Sequence, residues 1–224
     1  SVSYDAVDHP TMLYGLPSSP AVLDVDFDGF ADVVYIGDLG GQMWKWDLHA
    51  VGVDGDSDGA VDNWPAGVFF STPGTAVGGG VTHYRSFYYP AAASFVRGRL
   101  VLAFGSGERE NLDYVGVSTA DENNRMFVVR DDAPIGASAF AVSLDEADLT
   151  DVSSIHADND PSDHGYYFTA EDGEKFVSDV IVFAGYVITT SFFNNSSDPC
   201  MAVIGQSRLY AFQLGSGSGY WQGG

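Results

Sequence analysis

Short runs of hydrophobic residues, each closed by glycine, proline, asparagine or aspartate, recur along the whole chain, and this punctuation constrains the fold more than any other feature. The clearest runs are residues 32–36 (DVVYI), 42–48 (QMWKWDL), 99–104 (RLVLAF) and 125–130 (RMFVVR). Residues 179–183 (DVIVF), 186–192 (YVITTSF) and 208–214 (RLYAFQL) follow in the same style. β-Branched and aromatic side chains dominate them, the types that fit a pleated, half-buried surface. Helical periodicity is missing; residues 144–152 (LDEADLTDV) support at most a turn or two of helix. The 27 glycines supply turns at the required density, so the chain reads as all-β.

The runs fall into three units with one internal order: a small-residue opening strand, a turn, a valine-rich strand, a variable loop, then a strand carrying aromatic residues. The first begins at Pro20 (PAVLDVDFDGFADVVYIGDLGGQMWKWDL). The second begins at Pro90 (PAAASFVRGRLVLAFGSG) and resumes at Arg125 (RMFVVRDD). The third begins at Ser178 (SDVIVFAGYVITTSFF) and resumes at Ser207 (SRLYAFQLGSG). Repeated antiparallel units of this kind point to β-propeller blades. Blade-like units are expected at about residues 16–71, 85–143 and 172–215, within one partial propeller domain over residues 1–224. Three units cannot close a ring that takes about four to eight blades. The expectation is therefore an incomplete part of a larger propeller, cut from a longer protein. On that reading the want of a signal peptide says nothing about export.

Charge narrows the partners. The chain carries 31 acidic against 9 basic residues, a formal charge of −22. Nucleic-acid binding needs a basic surface, so no nucleic-acid partner is expected; anionic lipid is disfavoured for the same reason. No apolar run reaches the roughly 18 residues of a membrane span. The excess of carboxylates suits divalent cations.

That excess is concentrated. DVDFDGFAD places Asp24, Asp26, Asp28 and Asp32 at first, third, fifth and ninth place with Gly29 at sixth, and DGDSDGAVD repeats the arrangement with Asp54, Asp56, Asp58 and Asp62. Unneutralised, such carboxylates repel one another. Calcium (Ca2+) takes about six to eight oxygen ligands, and DxDxDG loops supply them from alternate residues. The expected ligands are Asp24, Asp26, Asp28, the Phe30 carbonyl and Asp32 in the first loop. In the second they are Asp54, Asp56, Asp58, the Ala60 carbonyl and Asp62. Neither loop is an EF-hand, because the twelfth place holds Tyr35 or Pro65 where that motif carries glutamate. The competing reading is that aspartate and glycine simply make turns; it suffices for one DxDG, and two complete DxDxDGxxD matches favour metal. A third acidic cluster, HADNDPSDHG at residues 156–165, has different spacing and an internal proline, and reads as a solvated loop.

Other signals carry less. The five histidines (His9, His49, His83, His156, His164) lack zinc-type spacing, and Cys200 is the sole cysteine. GSGERE at Gly105 lacks both the lysine–serine/threonine ending and the helix of a phosphate loop. The aromatic cluster at residues 84–89 (YRSFYY) reads as blade core.

Taken together, LPSSPAVLDVDFDGFADVVYIGDLGGQMWKWDL, LVLAFGSGERE with MFVVRDD, and FVSDVIVFAGYVITTSFFNNSSDPC with SRLYAFQLGSG resemble the C-terminal propeller of the PilC/PilY family of type IV pilus tip proteins. The likeness runs in family order over residues 16–215. It implies a calcium-binding propeller with quinoprotein-like modified blades, exported through the periplasm and displayed at the pilus tip on the bacterial surface. There it would support pilus assembly, adhesion and surface sensing, beside minor pilins or other pilus tip proteins. Any host or surface ligand would be met through regions outside this segment. The loop at Asp24–Asp32 lies where the family carries its calcium site; the Asp54 loop matches no family feature. No catalysis is expected. A quinone-dependent dehydrogenase is the enzymatic alternative, but that class commonly uses an adjacent cysteine pair and this chain has Cys200 alone. A generic extracellular calcium-stabilised propeller that binds carbohydrate or protein is the remaining one.

Overall fold

A computed structural model of the chain describes residues 9–50, 64–112, 123–153, 163–194 and 205–219. Within them lie sixteen strands and no α-helix. They begin with β1 (Ala21–Leu23), β2 (Val33–Gly37), β3 (Gln42–Asp47) and β4 (Ala66–Ser71). Next come β5 (Thr75–Gly78), β6 (Val81–His83), β7 (Ala92–Val96), β8 (Arg99–Gly105) and β9 (Arg125–Asp131). The chain continues through β10 (Leu144–Asp145), β11 (Thr150–Asp151), β12 (Gly165–Thr169) and β13 (Lys175–Phe176). It ends with β14 (Ile181–Phe183), β15 (Tyr186–Phe193) and β16 (Gln206–Gln213). A three-residue 3₁₀ turn, Glu146–Asp148, is all the helix that residues 144–152 form. No described helix is long and apolar enough to cross a membrane.

These strands build three main sheets, ordered β1-β2-β3-β4-β10, β11-β12-β9-β8-β7, and β13-β15-β14 with β16 on the other side of β15. Consecutive strands pair antiparallel, while β10 and β11 add short parallel ladders to β4 and β12. Among the described residues the sheets do not close on one another, as befits part of a propeller. The second sheet takes β12 from beyond residue 143, and β10 joins the first sheet from a point far along the chain. Both connections cross the unit limits expected from local pattern.

The middle sheet explains why RLVLAF and RMFVVR are hydrophobic throughout rather than alternating. Side chains along a strand point to opposite faces. Leu100, Leu102 and Phe104 join Val33, Tyr35, Met43 and Phe70 in one core. Val101, Ala103 and Val128 face the other way, toward Phe176, Val187 and Phe212 of the third sheet. A sheet covered on both faces needs apolar residues at both parities. Phe87, from the aromatic cluster, is fully buried and meets Phe104 edge-on at 5.0 Å. Burial of such a ring contributes about 1.5–3 kcal/mol.

Buried polar groups link neighbouring sheets. Lys45 on β3 donates to Asp131 at the end of β9 (2.6 Å) and to the Ala133 carbonyl (2.8 Å), and the Tyr35 hydroxyl donates to the same Asp131 oxygen (2.6 Å). Glu146 accepts from Arg85 at 2.9 Å and also from Arg125.

Three described hairpins turn in two residues, one of them β5–β6 at Gly79 and Gly80 (φ 62° and 77°). Arg97 and Gly98 (φ 52° and 80°) join β7 to β8, and Ala184 and Gly185 (φ 50° and 83°) join β14 to β15. Left-handed values at both positions are those of a type I′ turn, whose twist matches that of its strands. The corresponding hairpin of the first sheet is different, and it carries the candidate site.

Candidate metal centre

Leu23 pairs with Val33 across β1 and β2. The nine residues from Asp24 to Asp32 thus stand at the tip of an in-register hairpin, where the other two sheets use two residues. The loop is organised by its own carboxylates, which accept the amide donors that a long turn leaves unpaired. Asp24 takes three of them. Its Oδ1 accepts from the N–H groups of Phe27 (2.6 Å) and Asp28 (3.2 Å), and its Oδ2 from Gly29 (2.9 Å). Asp26 accepts from the Asp28 N–H (3.0 Å), and Asp28 from the Phe30 N–H (2.8 Å).

Asp32 forms the base. Its Oδ2 accepts from the N–H groups of Val25 (2.7 Å) and Asp26 (3.2 Å), and its own N–H donates to the Leu23 carbonyl (2.8 Å). Its carbonyl accepts from Leu48 (2.7 Å) and His49 (3.2 Å) just beyond β3. Asp32 is 3% exposed, whereas Asp26 and Asp28 are open to solvent. The backbone turns through left-handed conformations at Phe27 (φ 65°) and Gly29 (φ 95°). Glycine takes such a φ freely; at Phe27 it is uncommon for a bulky residue. Phe27 packs its ring against Phe95 of β7 at 5.7 Å, and Phe30 is exposed.

This geometry brings one carboxylate oxygen from each of Asp24, Asp26 and Asp28 within 4.8 Å of one another. A second group, Asp26, Asp32 and a ring nitrogen of His49, meets the same limit, with His49 Nε2 4.0 Å from Asp26 Oδ2. Asp26 belongs to both groups and links the exposed tip to the buried base. Three converging carboxylates are a donor set for a hard divalent cation. Imidazole suits softer metals such as zinc better than calcium.

The sequence placed Asp24, Asp26, Asp28 and Asp32 around one point. The structure gathers the first three and sets Asp32 beside Asp26 and His49. Histidine spacing alone did not single out His49. The signal lies in strand register: Val33 pairs with Asp47, so the chain two residues past β3 returns to the loop's base. The second loop, with Asp54, Asp56, Asp58, Ala60 and Asp62, lies outside the described residues, as do Cys200, Asp158 and Asp160. Asp163, from the third acidic cluster, is exposed and lies 3.8 Å from Arg99, far from the first loop in sequence.

The family model for the PilY1 beta-propeller domain matches residues 10–150, a stretch that includes the acidic hairpin and the first two sheets' central strands. Among solved structures, the chain is similar to the Pseudomonas aeruginosa PilY1 C-terminal domain, with a TM-score of 0.65 and 18% sequence identity. The superposition covers 89% of this chain and 47% of that one, so the chain spans about half the length of that structure. At this identity the likeness establishes the fold. No curated protein sequence matches the chain.

Proposed function

Because this chain belongs to the PilY1 β-propeller family of type IV pilus proteins, we propose that it is a calcium-binding, non-enzymatic propeller module displayed at the pilus tip. The observation that carries the calcium reading is the convergence of Asp24, Asp26 and Asp28 on one hairpin tip. These three would hold the ion, with the Phe30 carbonyl and Asp32 completing the oxygen set that the nine-residue spacing provides. A bound cation offsets the mutual repulsion of the carboxylates and adds a constraint on the left-handed turn at Phe27. The Asp54–Asp62 loop is read as a second, independent site on its spacing alone.

The setting agrees with export. Extracellular loops of this kind bind with dissociation constants of about 10⁻⁴ to 10⁻³ M, which suits the calcium level outside the cell and not that of the cytosol. Filled, the loop presents a fixed rim to minor pilins or other pilus tip proteins; adhesion and surface sensing follow from that placement. Regions outside this segment would meet a host or surface ligand. No catalytic role is assigned, since the carboxylates are arranged for a cation and are not paired with a nucleophile.

Two measurements test this. Calcium at about 100 times its dissociation constant should add about 2.7 kcal/mol to folding stability, seen as a higher melting temperature that excess chelator reverses. In the parent protein, replacing Asp26 and Asp28 by alanine should reduce surface pili and twitching while protein abundance stays near normal. Unchanged melting in chelator, with no metal found by elemental analysis, would refute the calcium reading. A calcium effect on melting with intact piliation would refute the pilus-tip role and leave a generic calcium-stabilised propeller.

A further inference from the structure

Nine basic residues in a chain of charge −22 are few enough to follow individually. Lys45 is buried with Asp131, Arg85 and Arg125 are on Glu146, Lys175 donates to the Asn111 carbonyl, and Arg208 is held by Glu171 and Glu174. Arg109 sits over the ring of Tyr89. The remaining three, Arg97, Arg99 and Arg130, line a single cleft of about 930 Å³ between the second and third sheets. Its rims are the β7–β8 and β14–β15 hairpin tips, and β7 packs against β14. Val96 and Val182, which pack on the core between these two sheets, give it an apolar wall, while Phe95 stands at its edge with its ring against Phe27.

The arginines are arranged to accept a carboxylate. Arg130 is half-buried and tethered, its guanidinium donating to the carbonyls of Asp163 (3.2 Å) and Gly215 (3.5 Å). Arg97 is exposed on the two-residue turn. Arg99 is half exposed, and its acidic neighbours Asp132 (3.4 Å) and Asp163 (3.8 Å) are themselves 46% and 89% exposed. Pairs that open to solvent contribute about 0–1 kcal/mol, so an incoming carboxylate displaces them at little cost. Guanidinium offers a planar fork of donors that matches a carboxylate with two parallel bonds. The rest of the surface restricts the ligand. A long polyanion meets the acidic field of the whole chain, whereas a short acidic segment inside the cleft feels the arginines within the Debye length of about 8 Å. The arginines belong to the second sheet and Val182 to the third, and an extended strand between them sends alternate side chains to opposite faces.

We propose that this cleft binds a short peptide segment of a partner protein in which acidic and apolar residues alternate, with its carboxylates on Arg97 and Arg99 beside Arg130 and its apolar side chains against Val182 and Val96. The cleft borders the acidic hairpin loop through the Phe95–Phe27 ring contact but shares none of the loop's carboxylates, so the proposal does not rest on the calcium reading and binding is expected both in calcium and in chelator.

The test is fluorescence anisotropy with a fluorescein-labelled hexapeptide of alternating glutamate and valine, titrated with the full chain in calcium and again in chelator. R97N and R99Q are suitable variants, because asparagine tolerates the left-handed backbone at position 97 and both side chains are exposed. Each should weaken binding about tenfold, the size of one charge-assisted contact, and the glutamine–valine peptide should bind at least about tenfold more weakly than the glutamate one. R109Q, which removes an equal charge elsewhere, should leave affinity unchanged. No binding to the unmutated chain would overturn the proposal. So would equal binding of the glutamine peptide, full affinity in R97N/R99Q, an equal loss in R109Q, or displacement by equimolar inorganic phosphate, which marks a simple anion site.

Discussion

Replacing Asp131 by alanine would strand a cation between two sheets. Lys45 is 1% exposed, and its ammonium lies 2.6 Å from Asp131 Oδ2. At an effective dielectric of about 20, two unit charges at that separation attract by about 6 kcal/mol. Desolvation of each ion costs several kcal/mol, so the intact pair is close to balanced. Removing the carboxylate deletes the attraction and leaves the desolvation in place. The Ala133 carbonyl at 2.8 Å and the rings of Phe69 and Phe140, 5.6 and 5.5 Å from the ammonium, recover only part. Tyr35 also loses its acceptor. The expected loss for D131A is about 3–5 kcal/mol at neutral pH, or about 6–20 °C in melting temperature for a chain of this size. The pH dependence gives a second readout. Burial pushes the Lys45 pKa below its ordinary value while Asp131 opposes that shift, so in D131A the depression deepens. A lysine whose folded pKa lies below its unfolded value gains stability as pH rises from the former toward the latter. The gap between D131A and the unmutated chain should therefore narrow from pH 7 toward pH 10 (about the unfolded value). Y35F/K45M/D131L, which removes all three polar groups together, should lie within about 2 kcal/mol of the unmutated chain. Urea denaturation measures each quantity. A loss under about 1 kcal/mol for D131A, or a gap that widens with pH, would refute the reasoning.

Within the acidic loop, D24A should cost about 1–3 kcal/mol even in chelator, because Asp24 accepts three backbone N–H groups, whereas D28A should cost less in chelator than in calcium; equal losses under both conditions would contradict this division of roles. Gly165→Ala would place a Cβ 2.0 Å from the Val128 carbonyl oxygen at a backbone φ of 120°. It should destabilise by about 3 kcal/mol or more in the same denaturation assay, and a loss below about 1 kcal/mol would mean that β12 pairs differently. Burial foremost pushes the Tyr210 phenol up to about 12. Its folded pKa exceeds its unfolded value of about 10, so its contribution is whole below pH 10 and is lost as pH climbs toward 12. Y210F should lose less stability than the unmutated chain over that interval, and parallel curves would argue against the half-buried phenol.

The strands β2, β3, β8, β9, β14, β15 and β16 were legible in the sequence because each is a hydrophobic run closed by its own turn residues. The acidic hairpin loop was legible for a related reason. Its geometry comes from Asp24, Asp26, Asp28 and Asp32 accepting amides no more than seven residues away, so spacing alone contains the arrangement. Sheet membership was not local. The GYYFT of β12 follows an acidic stretch that reads as loop, and it becomes a strand by pairing with β9. Lys45 within QMWKWD reads as the polar face of a strand until the second sheet covers it and brings Asp131 from 86 residues away. His49 joins the loop's base through the register of β2 with β3, and Arg130 joins Arg97 and Arg99 through the pairing of β9 with β8, the β14–β15 hairpin of another sheet supplying the far side of their cleft. Short-range hydrogen bonding and side-chain alternation are encoded over a few residues and can be read along the chain. The neighbour of a covered face is chosen by competition among distant surfaces for burial, and that competition is resolved only when the sheets pack.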